Sequence, residues 1–160
     1  MADVIEETDD RLVIRKLIPA SREEVFAAWS DPASIRHWMC PGDVIMTEAQ
    51  LDFRVGGWFR IVMKGEREDY DHSGAYQVIE PPSKLSFTWI SKGTDLKTTL
   101  VTVELFEREG GTELILTHER FPSAERVERH KRGWGQIADR LAEHLRQDEA
   151  SRSAQGARRG

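Results

Sequence analysis

The sequence predicts an α+β domain in which a curved antiparallel sheet of about six or seven strands closes around one long C-terminal helix, with two short helices after the first strand. Three observations carry this. Segments between residues 44 and 119 alternate apolar and polar side chains with period two, separated by glycine- or proline-bearing turns. His130, Trp134, Ile137, Leu141 and Leu145 recur at helical spacing near the C-terminus. Two helix-start signatures stand close together between the first strand and the others.

Residues 12–18 are a β-branched run ended by Pro19, which predicts the first strand. Ser21 and Glu24 have the spacing of a capping box, and Val25, Phe26 and Trp29 follow at helical spacing, so a short helix is expected over residues 22–29. Asp31-Pro32 repeats the signal with an N-cap aspartate and a proline at the first helical position; this second helix carries Ile35 and Trp38 and stops at Pro41-Gly42. Residues 44–51 and 57–64 are expected to pair as strands through Gly56-Gly57. The charged run 65–71 is expected as a solvated loop, and residues 74–80 as a strand stopped by Pro81-Pro82. Leu85, Phe87 and Trp89 alternate with Ser86 and Thr88; Val101, Val103 and Leu105 do the same before the Glu109-Gly110-Gly111 hairpin turn into Leu114 and Leu116. Short connections between successive strands imply antiparallel pairing. The last helix is expected over residues 123–147, with Gly133 and Gly135 as weak points inside it. Residues 1–10 and 148–160 lack periodicity and are expected to be flexible, leaving residues 11–147 as one domain.

Composition narrows the function classes. With 39% hydrophobic residues and five tryptophans among 160 residues, a packed core is expected. The 23 Lys and Arg against 28 Asp and Glu give a net charge of −5, which argues against nucleic-acid binding. No apolar run suits membrane insertion, and the acidic start is unlike a secretory signal. A single cysteine, Cys40, fits a reducing compartment, and a cytoplasmic location is expected.

The order of elements, together with Pro19-Ala20, residues 25–29, Asp31-Pro32, Trp38, residues 52–60, Glu80-Pro81-Pro82-Ser83-Lys84-Leu85, Phe87-Thr88-Trp89, Gly111-Thr112, His130 and Gly133-Trp134, resembles the helix-grip architecture of the START-like superfamily. Within it the chain is similar to the activator-of-heat-shock-protein-90-ATPase homologue family, also grouped with polyketide-cyclase-like domains. The likeness covers residues 11–146; it departs at Met39-Cys40-Pro41, where the family often has a second tryptophan and a glycine before the proline. The resemblance implies a cavity between sheet and helix. It leaves three functions open: binding of a small apolar or aromatic molecule, cyclase- or hydrolase-like chemistry on a pocket histidine, and a chaperone-associated interaction module.

Candidate cavity residues are Trp38, Met46, Phe59, Ile61, Met63, Phe87, Trp89, Val101, Val103, Leu116, His118, His130 and Trp134, each of which core packing alone would also explain. His118 at a strand end and His130 on the helix stripe are the candidates for acid–base work, with a hydrogen-bonded structural role as the plainer alternative. The histidines lack the close H-x-H or H-x-x-x-H spacing of a metal site, and no glycine-rich nucleotide loop or nucleophile elbow is present, so no metal or cofactor is expected. Binding is favoured over catalysis, and monomer and homodimer remain equally open.

Overall fold

The computed structural model describes residues 1–159, with side chains through residue 148. Its elements run β1 (Asp3–Glu7), β2 (Arg11–Ile18), α1 (Arg22–Ser30), α2 (Pro32–Trp38), β3 (Met46–Leu51), β4 (Trp58–Lys64), β5 (Asp69–Glu80), β6 (Lys84–Trp89), a 3₁₀ turn (Lys92–Thr94), β7 (Thr99–Arg108), β8 (Gly111–Glu119) and α3 (Ala124–Arg159). The strands form one eight-stranded sheet in the order β1-β2-β8-β7-β6-β5-β4-β3. Every neighbouring pair is antiparallel, as short connections favour for the consecutive strands, and β2 meets β8 from the other end of the chain.

The two short helices start where their caps predict. Ser21 Oγ accepts the Glu24 amide at 3.2 Å, and Asp31 accepts the Ala33 amide at 3.0 Å with Pro32 in the first turn. Their buried residues Val25, Phe26, Trp29, Ile35 and Trp38 close one end of the core. Helix α3 lays Val127, Trp134, Ile137, Ala138, Leu141, Ala142 and Leu145 on the inner face of the sheet, where all are buried. Together with the inward side chains of β2 and β4–β8 they make a single hydrophobic core.

Three features differ from the expectation. Residues 3–7, placed in a flexible N-terminus, form β1 and extend the sheet to eight strands rather than six or seven. Every residue of β1 is exposed, so no inward-facing set marks it in the sequence; its pairing with β2 is a backbone matter. Strand β5 starts at Asp69, inside the presumed loop, and not at Gly74. Helix α3 continues past Gln147 to Arg159, whereas residues 148–160 were expected as a tail; the side chains beyond residue 148, and Gly160 entirely, lie outside the described residues.

Strand β5 positions the candidate site. Its first half pairs with β4 from Asp69↔Lys64 to Ala75↔Trp58, and its second half pairs with β6 from Tyr76↔Phe87 to Glu80↔Lys84. The ladder shifts register between Tyr76 and Val78, and the Ala75 amide turns to Thr88 Oγ1 at 2.8 Å. Beyond a last bridge, in which Ser73 and Ile90 exchange backbone hydrogen bonds at 3.0 and 2.9 Å, the β4–β5 ribbon runs on past β6 and faces the N-terminal half of α3 across a groove.

Candidate functional site

On the inner face of the β4–β5 ribbon, register places Phe59 opposite Gly74, Ile61 opposite His72 and Met63 opposite Tyr70. Gly74 is required there: a Cβ would collide with the Thr88 carbonyl oxygen and the Phe59 ring. The absent side chain lets Phe59 lie flat across the ribbon, where its ring lines both the open groove and the sealed interior. Inside, aromatic rings pack in succession: Trp38 on Trp29 at 4.8 Å, Phe87 on Phe59 at 5.4 Å, Phe59 on Trp89 at 5.8 Å and Trp89 on Trp134 at 5.2 Å between centroids. Among them a void of about 10 Å³ remains, walled by residues that include Trp29, Phe59, Tyr76 and Trp89. The indole N–H groups of Trp29 and Trp89 are buried without a partner.

Outside Phe59 lies a groove of about 1790 Å³. Its walls are the 41–44 connection, the β4–β5 ribbon, the 3₁₀ turn with its flanks, and α3 from Arg126 to Gln136. Gly42 N–H donates to Gln136 Oε1 at 2.6 Å and ties the first wall to the last. The 3₁₀ turn is held by Ser91 and Thr94, each capping the other's backbone, and by the 2.6 Å ion pair between Arg126 and Asp95. Asp95 and Leu96 both take positive φ, 55° and 59°, which holds the exposed Leu96 side chain at the groove mouth. Trp58 and Tyr70 stand half-exposed on the ribbon. Cations of α3 and the turn (Arg126, Arg129, Arg132, Lys92) and acids of the ribbon and the 41–44 connection (Asp43, Glu68, Asp69, Asp71) also line it.

Three histidines stand around this boundary, in two tautomeric states. His118 is fully buried; Trp134 Nε1–H donates to its Nδ1 at 2.9 Å, so Nε2 carries the proton and donates to Thr99 Oγ1 at 2.7 Å, which in turn donates to the Trp89 carbonyl. The ring has no lone pair left for a substrate, and burial holds its pKa well below the ordinary value. His130 Nδ1 lies 2.8 Å from the Arg126 carbonyl, which only accepts, so Nδ1 carries the proton and Nε2 the lone pair. His72 Nδ1 likewise donates to the Ile61 carbonyl at 3.3 Å. Burial lowers both pKa values, that of His72 to about 4. Near neutral pH all three rings are uncharged.

The candidates named from sequence thus divide. Phe59, Met63 and His130 line the groove. Trp38, Ile61, Phe87, Trp89, Val101, Val103, Leu116, His118 and Trp134 are buried and lie outside its lining. Met46 belongs to neither set: it is exposed on β3, and the neighbouring Thr47 points inward because its hydroxyl donates to the Met39 carbonyl at 2.8 Å. Sequence reasoning missed Tyr70 and His72, which it left in a loop, and the part played by Gly74, which it placed at the start of a strand. Their period-two spacing with Tyr76 was the available signal. Among the described residues no cluster of three or more His, Cys, Asp or Glu suited to a metal occurs, and no helix is long and apolar enough to cross a membrane.

With this geometry in hand, comparison with known proteins gives a consistent answer. None of the curated proteins matches. Among solved structures, a protein from Rhodobacter sphaeroides is 26% identical with a TM-score of 0.78, over 94% of this chain and 99% of that one. CalU16 from Micromonospora echinospora is 28% identical with a TM-score of 0.67, over 86% and 75%. An AHSA1-like protein from Aeromonas hydrophila, 24% identical with a TM-score of 0.72 over 87% and 94%, shares the fold. The family model described as Activator of Hsp90 ATPase homolog 1-like protein matches residues 19–146, from the end of β2 to the last turn of the helix stripe, and the chain belongs to that family.

Proposed function

We propose that this protein binds a small apolar or aromatic molecule in the open groove between the β4–β5 ribbon and the N-terminal half of α3. The observation that carries this reading is Gly133. It lies on the groove wall inside a helix, where glycine costs about 0.8–1 kcal/mol against alanine, and a Cβ there would meet nothing within 4 Å. No close packing demands glycine, so its effect is to keep the space open. The walls suit an apolar guest with polar edges: Phe59 and Met63 face inward, Leu96 and Trp58 stand at the rim, and hydroxyls and imidazoles lie between. The groove exceeds the roughly 300–1,000 Å³ usual for ligand pockets, as an open-sided cleft does.

The test is Gly133→Phe, which puts a ring into the groove without touching the core. Titration of an environment-sensitive dye, anilinonaphthalene sulfonate, should show saturable binding to the wild type and at least about tenfold weaker binding to the variant, a loss of about 1.4 kcal/mol. Its melting temperature should not fall. Equal dye binding by both proteins sinks the proposal.

A further inference from the structure

We propose that the molecule held in the groove presents a neutral hydrogen-bond donor, a hydroxyl or N–H group on an aromatic or apolar frame, to Nε2 of His130. This rests on the groove being the binding site. Each ring is fixed in one tautomer by a backbone carbonyl: Arg126 for His130 and Ile61 for His72. A carbonyl takes only a proton-bearing partner, so in the neutral ring the remaining nitrogen is an acceptor by necessity. Nε2 of His130 has no hydrogen-bond partner among the described residues, and the fully enclosed unpartnered nitrogens are those of Trp29 and Trp89, so its lone pair opens on the groove that the ring lines, whereas His72 has a second backbone partner at Tyr70. His118, close by, shows the contrast, since both its nitrogens are spent inside the protein.

The surroundings decide what kind of donor fits. Arg126 acts unfavourably on a positive charge at the His130 ring, so an ammonium group would meet like charge there. A carboxylate would bring its own lone pairs against that of the imidazole. A hydroxyl or N–H satisfies both requirements, and discrimination follows because an analogue lacking it leaves the covered acceptor unpaired.

The experiment compares naphthol with its methyl ether at neutral pH by calorimetric titration. The two share one ring system and differ in a single donor. The wild type should bind naphthol about tenfold more tightly, the equivalent of one good hydrogen bond. His130→Phe should bring the ratio toward one while leaving binding of the ether in place. Equal affinity of the wild type for both compounds overturns the donor requirement and leaves the groove reading standing. A naphthol preference that survives in the variant overturns the assignment to His130. Binding of neither compound removes the groove reading and this inference with it. The wild-type ratio alone decides the donor question should the variant fail to fold.

Discussion

Helix α3 presents two faces to two environments. Val127, Trp134, Ile137, Leu141 and Leu145 are sealed in the core against the sheet and α2. Arg126, Arg129, His130, Gly133 and Gln136, on the adjacent face of its N-terminal half, look across a groove with an exposed rim. The groove exists because β5 pairs with β6 along only part of its length, while the β4–β5 ribbon runs on beyond β6 and stands across the groove from that second face. Stability and binding should therefore be separable between the two faces.

Three substitutions or conditions sharpen that division. The largest effect is expected from Leu141→Ala on the sealed face: loss of a fully buried leucine should cost about 2–5 kcal/mol in chemical denaturation. Dye affinity of the folded protein should stay within about twofold, and a parallel loss of binding would erase the distinction between the faces. Acid should act next, through the boundary histidines. His72 and His118 are held neutral by burial, with folded pKa values below the unfolded value of about 6.5. Above that pH neither state is protonated and the groups contribute no pH dependence. As pH falls below it, the unfolded chain takes up protons that the folded rings refuse. Stability should then drop by about 1.4 kcal/mol per pH unit for each, with the His72 share levelling near its folded pKa of about 4. Denaturation midpoints unchanged between neutral pH and pH about 5 would contradict the neutral assignment. The smallest effect is a gain: Gly133→Ala should stabilise by about 0.8–1 kcal/mol, read as a raised melting temperature, because the helix loses a poor former and the Cβ meets open space.

How far the sequence revealed this arrangement depended on which force set each element. The caps at Ser21 and Asp31, the alternation from Leu85 to Trp89 and the α3 stripe are local signals, and each element formed where its signal stood. Strand β1 has no such signal, since its side chains are all exposed and what holds it is its backbone pairing with β2 together with surface ion pairs from Asp3, Glu6 and Glu7. The phase of β3 was set by one hydroxyl reaching the Met39 carbonyl, which turned Met46 outward. The apolar candidates other than Met46 face inward, yet most of them fill the interior; beside Phe59 and Met63 the groove is lined by charged and small residues such as Asp69, Ser73 and Lys92. Composition reads such residues as solvated surface because it cannot see which surfaces face one another.

The position of Trp58 has an optical consequence. Of the five tryptophans, Trp29, Trp38, Trp89 and Trp134 are at most 4% exposed, whereas Trp58 is 51% exposed at the groove rim. Trp89 and Trp134, in ring contact, are close enough to share excitation, and both lie beside histidines. Trp58 alone will emit at the red edge and be reached by a collisional quencher such as iodide. The protein thus carries its own fluorescent gauge of groove occupancy: a guest that covers Trp58 will shift that red component to shorter wavelength and shield it from the quencher, with no label attached.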